Sequence, residues 1–403
     1  MPTPVTIELR IPDESDRAQL LECLRVSLNF PARFVERRGP LLPLERFLCA
    51  FEGARLVATA AERSFLQWFR GEQLEMSGVY AVATLPEYRG RGIASDVVGT
   101  MMRAARDRGT PLSGLYPAAL PPYRRLGYEL AGSFTEYRVR LDDLPVTRGT
   151  LLPVEEYQPD DLEAVRACHR EAMKDHTGPF EPTDESWWTQ RIFSARDATE
   201  VARAVVARAD TGEIGGYASF RYQEAEGDLD VSFGIECSAF VATTERALRA
   251  LFAYFRGFRG VGQWLQWNGP IGGDPIALLL DEQRVQTAYR YGWMLRLLDV
   301  GSALGQRGYP RVSARAVVSV DDPMFSENTG AWTLDVREGA ATVQRGGEPA
   351  SKPLSIGALS SMFSGYLSAA DAVRLGHLDR ADPSVEALGQ LFAGPAPWMP
   401  DFF

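Results

Sequence analysis

Two stretches of the chain repeat one order of hydrophobic and polar positions. The first alternates as a strand from Thr6 to Arg10, breaks at Pro12-Asp13, and continues with helical spacing from Asp16 to Leu28. The second alternates from Leu151 to Glu155, breaks at Pro159-Asp160-Asp161, and continues helically through Leu162, Val165 and Cys168. A strand–turn–strand pattern follows each, over Phe47 to Glu62 around Gly53 and over Val201 to Tyr222 around Asp210-Thr211-Gly212. The same elements in the same order predict a tandem duplication. The segment Asp142 to Pro153, with Pro145 and Gly149, reads as the linker.

The last hundred or so residues follow another pattern. Val312, Ala314, Ala316, Val318 and Val320 fall on one face of a strand, and Trp332, Leu334 and Val336 continue the alternation up to Glu338-Gly339. Helices are predicted over Ile356 to Tyr366 and Asp382 to Phe392, the latter with an Asp cap and Pro383 in its first turn. A third, α+β domain is expected. It ends in Pro395, Pro397, Trp398, Met399, Pro400, Asp401, Phe402 and Phe403, a tail too apolar to stay in water and expected to dock.

The most informative stretch is Val79 to Ala94. A β-rich run breaks at Pro86, passes the loop Arg89-Gly90-Arg91-Gly92, and enters a helix whose stripe is Ile93, Val97, Val98, Met101, Met102 and Ala105, closed by Gly109. No Ser, Thr, Asp or Asn stands just before Ile93, so the first-turn N–H groups lack a side-chain cap. Glycines that admit a ligand to the backbone, a helix dipole and two arginines together suit a phosphate. A purely structural turn is the competing reading. The loop is not a nucleotide-triphosphate motif, because no Gly-Lys-Ser/Thr follows it.

Composition narrows the field mainly by exclusion. The 403 residues are 45% hydrophobic and 24% charged, ordinary for two to four globular domains. No run approaches the ~20 apolar residues of a membrane span, and the N-terminus has no signal pattern, so a cytoplasmic protein without a membrane partner is expected. A net charge of −10 weighs against nucleic acid and is compatible with a cationic ligand. Four scattered cysteines, Cys23, Cys49, Cys168 and Cys237, and three histidines suit neither a disulfide framework nor a metal centre, so no metal is expected.

Arg89-Gly90-Arg91-Gly92-Ile93-Ala94 resembles the Gln/Arg-x-x-Gly-x-Gly/Ala signature of the GCN5-related N-acetyltransferases (GNAT). Val82 to Pro86 and Tyr123-Arg124-Arg125-Leu126-Gly127-Tyr128 resemble its flanking motifs. The layout of two such halves and a sterol-carrier-like domain resembles the enhanced intracellular survival family, with Tyr291 to Val300, Ala303-Leu304 and Arg307-Gly308-Tyr309 as its junction. The implied fold is α/β with mixed sheets. An N-terminal catalytic GNAT domain is expected over 1–145, a central degenerate one over 146–290, and the sterol-carrier-like domain over 291–403. After the candidate strand Leu229 to Ile235, the segment Ser238 to Arg246 carries no Arg-x-x-Gly-x-Ala, so the central copy is expected to be structural.

The resemblance implies an acetyl-CoA-dependent N-acetyltransferase acting on a cationic amine, aminoglycoside- or polyamine-like, or on lysine. Val82, Ala83 and Thr84 would hold the pantetheine and thioester, with Val82 N–H as the oxyanion donor. Arg89, Gly90, Arg91, Gly92, Ile93, Ala94 and Ser95 would hold the pyrophosphate, and Ala118 and Ala119 would line the cofactor. Tyr123 occupies the general-acid position, and the C-terminal carboxylate of Phe403 the position of the base. An apolar tail would bring that carboxylate into a cleft where desolvation raises its pKa. The competing reading makes Tyr123 a packing residue, with Tyr116 or Tyr128 as the acid.

This chain departs from the family's aminoglycoside-acetylating members at Tyr116, where they often carry histidine, and at Asn29 to Phe34, which offers no carboxylate. Asp401, Glu36 and Glu52 remain as cation contacts. Trp187-Trp188 and Trp264/Trp267 are expected to pack between domains rather than line a cleft. A homohexamer is implied. The alternative function is a protein that binds CoA and a hydrophobic ligand without turnover.

Overall fold

The structure, a computed structural model, describes residues 6–30, 32, 39, 42–146, 149–181, 188, 202–225, 232–271, 275–282 and 284–400. The first repeat builds β1 (Ile7–Arg10), α1 (Arg17–Leu28), β2 (Phe47–Glu52), β3 (Arg55–Phe69), β4 (Glu72–Thr84), α2 (Ile93–Asp107), β5 (Leu112–Leu115), α3 (Leu120–Arg124) and β6 (Glu129–Arg140). The second builds β7 (Val154–Glu156), α4 (Leu162–Met173), β8 (Thr177–Glu181), β9 (Arg203–Arg208), β10 (Ile214–Glu224), β11 (Phe233–Ala242), α5 (Glu245–Arg256), β12 (Gly262–Gly269) and β13 (Gln286–Leu297). Both repeats enter their first helix through a reciprocal capping box, Asp13 with Asp16 and Gln158 with Asp161. The duplication read from hydrophobic order is thus repeated in its capping chemistry.

The two repeats exchange strands. Their common sheet runs β1-β2-β3-β4-β5-β13-β6-β12-β11-β10-β9-β7. β13, the last strand of the second repeat, lies between β5 and β6 of the first. The distal half of β6, Thr135 to Arg140, pairs in turn with β12. The expected division at 290/291 therefore falls inside one strand. The candidate strand Leu229 to Ile235 is described only from Ser232 onward, and its pairing continues to Ala242.

The third domain contains α6 (Val300–Gln306), β14 (Ala314–Asp321), β15 (Gly330–Arg337), β16 (Ala340–Arg345), β17 (Leu354–Ser355), α7 (Ile356–Ser364), α8 (Ala369–Arg374) and α9 (Val385–Leu391). The helix expected from Asp382 starts at Val385, because Asp382 accepts from Ser384 N in the preceding turn at 2.8 Å. α8, capped by Ser368, is too short for its spacing to stand out in the sequence. Ala316, Val318 and Val320 are buried as the alternation requires. α7 is buried on every side, and its Leu359, Met362 and Phe363 join Leu295, Leu297, Phe69 and Met76 in one core shared with the first sheet.

The tail docks by backbone addition. Ser133 N donates to Pro397 O, Met399 N to Ser133 O, and Trp398 N to Thr177 O, at 3.2, 3.0 and 3.0 Å. β8 pairs with β3, so the strands β3, β4, β5, β13 and β6, the tail and β8 form a closed ring around Phe65, Phe180, Trp293 and Met399. Two glycines leave the slot open. A Cβ on Gly132 would stand 2.3 Å from Trp293 Nε1 and 2.7 Å from Pro397 O, and one on Gly178, at φ +112°, 2.3 Å from Trp398 O. Gly132→Ala is expected to displace the tail and destabilise the chain by about 1–3 kcal/mol through overpacking, read as a lower melting temperature. An unchanged melting temperature would show that the slot accommodates a methyl group.

Candidate active site

The site begins where β4 leaves β5 and bulges against β3. β4 and β5 pair only at Met76–Leu112, Ser77–Ser113 and Gly78–Gly114, and then diverge. On its other side, Tyr80 pairs with Ala61 and Ala83 with Thr59, so Ala81 and Val82 bulge out of the ladder. Ala81 holds φ at +50°, a left-handed conformation that costs a non-glycine residue about 1–2 kcal/mol. The sequence gives no signal for this bulge, because Ala81 is neither Gly nor Asn.

α2 presents its N-terminus to the same opening. Gly90 and Gly92 sit at φ +78° and +82°, where L side chains are strained, and a Cβ on either would meet nothing within 4 Å. Gly92 is the N-cap, and no side chain caps the helix. The corresponding helix of the second repeat, α5, is closed by Thr244, whose hydroxyl accepts from Ala247 N at 3.2 Å. One helix end is therefore open to an anion, and its counterpart is filled from within.

Val82, Ala83, Thr84, Arg89, Gly90, Gly92, Ile93, Ala94, Ser95, Ala118, Ala119 and Tyr123 all line one cavity of about 480 Å³. Arg91 does not line it. Its guanidinium lies 4.8 Å from the Tyr88 ring centroid and donates to Glu87 O at 3.1 Å, bracing the loop from outside. Sequence reasoning missed Ser27 and Leu28 at the end of α1, together with Arg125 and Leu126. Ser27 Oγ donates to Thr84 O at 3.0 Å, and Arg89 Nη2 donates to Ser27 O at 3.2 Å. These contacts join positions about sixty residues apart, which no local pattern records.

The three candidate tyrosines separate by environment. The Tyr128 hydroxyl is buried against Ser113 Oγ at 2.6 Å. Tyr116 donates to Met399 O at 3.2 Å, which fastens the tail beside the cavity wall at Ala118. Tyr123 lines the cavity itself, with its ring edge-on to Tyr128 at 6.2 Å. Burial pushes its hydroxyl up to about 12, so it keeps its proton at neutral pH. Its carbonyl accepts from Leu126 N and Tyr128 N at 2.9 and 3.1 Å, which fixes the turn that carries it.

A buried ion pair braces this turn from the third domain. Arg296 on β13 donates from Nε to Leu126 O at 3.0 Å and from Nη2 to both Asp322 oxygens at 2.7 Å. Both side chains are wholly buried. Asp322 also accepts from Asn328 Nδ2, Met324 N and Phe325 N.

Phe403 and Asp401 lie outside the described residues, as do Glu36 and Trp187. Glu52 accepts from the Tyr88 hydroxyl. Trp188 is buried beside His169 of its own repeat, whereas Trp267 stacks across the repeats on Tyr137 at 5.8 Å, the inter-domain packing expected of it. The exposed wall near the tail is aromatic. Tyr291, half exposed, contacts Tyr116 and Phe134 with centroids 6.5 and 6.2 Å apart, and Tyr289 is similarly exposed. Burial raises every thiol, Cys23 to about 11 and Cys49 to about 12, so none is a ready nucleophile. Among the described residues, no cluster of His, Cys, Asp and Glu could hold a metal, and no helix is long and apolar enough to cross a membrane.

A diverging bulged strand, an open glycine-led helix end and a buried tyrosine define an acetyltransferase of the GNAT class. Comparison with known proteins agrees. Residues 8–131 and 183–297 each match an acetyltransferase (GNAT) domain family, and residues 300–400 match a sterol carrier protein domain. An uncharacterized N-acetyltransferase of Streptomyces griseus is 27% identical over 386 residues, covering 89% of this chain and 90% of that one. A GCN5-related N-acetyltransferase structure from Anabaena variabilis superposes with a TM-score of 0.91 at 24% identity, over 99% of this chain and 100% of that one. Eis1 from Mycobacterium abscessus shares the fold at a TM-score of 0.81 and 23% identity, over 99% and 100% of the two chains. Two GNAT acetyltransferase domains thus precede a sterol carrier protein domain in this chain, which shares the fold of Eis1.

Proposed function

We propose that this N-acetyltransferase moves acetyl from acetyl-CoA directly to a primary amine of a cationic small molecule, aminoglycoside- or polyamine-like, or of lysine. The observation that carries the reading is the single cavity into which Val82, the open end of α2 and Tyr123 all face. The pyrophosphate fits Gly90 to Ser95, where N–H groups and Arg89 supply positive potential. The thioester fits the strand opening, with the Val82 N–H released by the bulge to hold the oxyanion.

The free amine attacks the carbonyl carbon after its ammonium gives a proton to the terminal carboxylate of Phe403. Collapse of the tetrahedral intermediate breaks the carbon–sulfur bond, the departing thiolate takes the Tyr123 proton, and the tyrosinate recovers a proton from the nitrogen of the new amide. Exposed Tyr289 and Tyr291 and the net charge of −10 favour a cationic acceptor.

Incubation with acetyl-CoA and a panel of aminoglycosides, polyamines and lysine peptides is expected to yield acetylated amine by mass spectrometry. Tight acetyl-CoA binding with every amine unchanged would count against this acceptor class. Because burial pushes Tyr123 up to about 12, the rate is expected to climb with pH to about 9 without an alkaline fall. A falling limb below that would assign the acid to another group. Light scattering on the intact chain tests the homohexamer.

A further inference from the structure

Away from the acetyl-transfer cavity, one buried cation has no counter-charge among the described residues to explain it. Arg307, just after α6, is 3% exposed, and its Nε and Nη1 are buried without a hydrogen-bond partner. Its guanidinium carbon lies 4.9, 5.1 and 4.9 Å from the ring centroids of Tyr309, Phe363 and Phe392. Ring faces attract a cation but leave its in-plane N–H groups without an acceptor. Burying such donors unmade is costly, more so on a charged group.

A second cation stands beside it. Arg70 lies at the β3–β4 turn with φ +52°, and its Nε is likewise buried without a partner. The two backbones touch: Gly308 N donates to Phe69 O at 3.0 Å, and a Cβ on Gly308 would lie 1.9 Å from Arg70 O. Burial first, and the Arg70 charge with it, push the Arg307 guanidinium down to about 10, against a smaller opposing pull from Tyr309. It therefore stays cationic at neutral pH. Two arginines in one joint, each with a buried unmade donor, are complementary to an anion.

We propose that Arg307 and Arg70 hold a small monoanion, of chloride or carboxylate size, in the joint between the β3–β4 hairpin and the third domain. The joint adjoins the root of the tail. A Cβ on Gly394 would lie 2.4 Å from Arg70 Nη1, and Arg70 N donates to His176 O at 3.0 Å. His176 Nδ1 in turn accepts from Trp398 Nε1 at 3.3 Å. The anion thus fastens the hairpin to the segment from which the tail departs.

The test is the melting temperature of the full chain as chloride, or separately acetate, replaces bulky isethionate at constant ionic strength. Wild type is expected to rise with the logarithm of anion concentration, by at least about 2 °C. The more effective of the two anions identifies the better-fitting occupant. Arg307→Met is expected to abolish the rise, while melting no lower than wild type in isethionate, because it removes an uncompensated cation. Arg70→Met, at a half-buried position, is expected to need about tenfold more anion for the same rise and keeps the test decisive should Arg307→Met not fold. A bromide soak should place an anomalous peak between the two guanidiniums. An anion-independent melting temperature, as an ordered water would give, or an equal rise in wild type and Arg70→Met, would overturn the proposal.

Discussion

Replacing Tyr123 with phenylalanine is expected to lower kcat about a hundred- to ten-thousandfold while acetyl-CoA affinity stays within about twofold. The ring makes the packing contacts, edge-on to Tyr128 and against the cavity wall. Phenylalanine keeps those and deletes only the oxygen. An interaction made only in the transition state affects kcat and kcat/KM alike, whereas a lost binding contact raises KM. Steady-state kinetics beside calorimetric acetyl-CoA binding separates the two. Rates within a fewfold of wild type would return the acid role to another group. Tyr116 and Tyr128 are poorer substitutes, because one hydroxyl is given to Met399 O and the other is paired with Ser113.

Asp322→Ala is expected to be the most destabilising single change in the joint between the domains. It strands Arg296 as a buried cation, and breaking such a pair from one side costs about 3–5 kcal/mol, or roughly 4–6 °C of melting temperature at this size. Met324 N, Phe325 N and Asn328 Nδ2 lose their acceptor in the same step. The double change Arg296→Met with Asp322→Leu is expected to recover much of the loss, because it removes both charges. It leaves Leu126 O without its Arg296 donor. The double variant should therefore melt between Asp322→Ala and wild type, because Met324 N, Phe325 N and Asn328 Nδ2 still lack their acceptor, and show a lower kcat, with the Tyr123 turn less firmly held. Thermal melts and kinetics of the two variants check this, and an Asp322→Ala melt within about 2 °C of wild type would mean that the pair contributes little.

The first repeat and the third domain were legible wherever their signals were local. The α2 stripe, its glycine-led and uncapped start, and the alternation of β14 all follow from periods of 3.6 and 2.0 within a dozen residues. Eleven of the twelve residues expected around the cofactor line one cavity together with Tyr123, because the loop and the strand before it are contiguous in the chain. Arg91 differs because a neighbouring ring, Tyr88, offers its guanidinium a nearer surface.

Long-range pairing was not legible. Nothing in Gln286 to Leu297 says that it will lie between β5 and β6, some 170 residues upstream, rather than beside β12. The same holds for Ser27 against Thr84, for Arg296 against Leu126, and for the tail between Ser133 and Thr177. The bulge at Ala81 stayed hidden because its backbone conformation is imposed by the sheet rather than by the residue.

The central claim is acetyl transfer assisted by a carboxylate that the tail delivers. Its most direct test is amine-dependent thiol release from acetyl-CoA by the native chain and by one extended a few residues past Phe403. The account predicts release from the native chain, and its loss on extension with acetyl-CoA binding intact. Equal release from both would contradict the terminal carboxylate as base and transfer that role to a side chain.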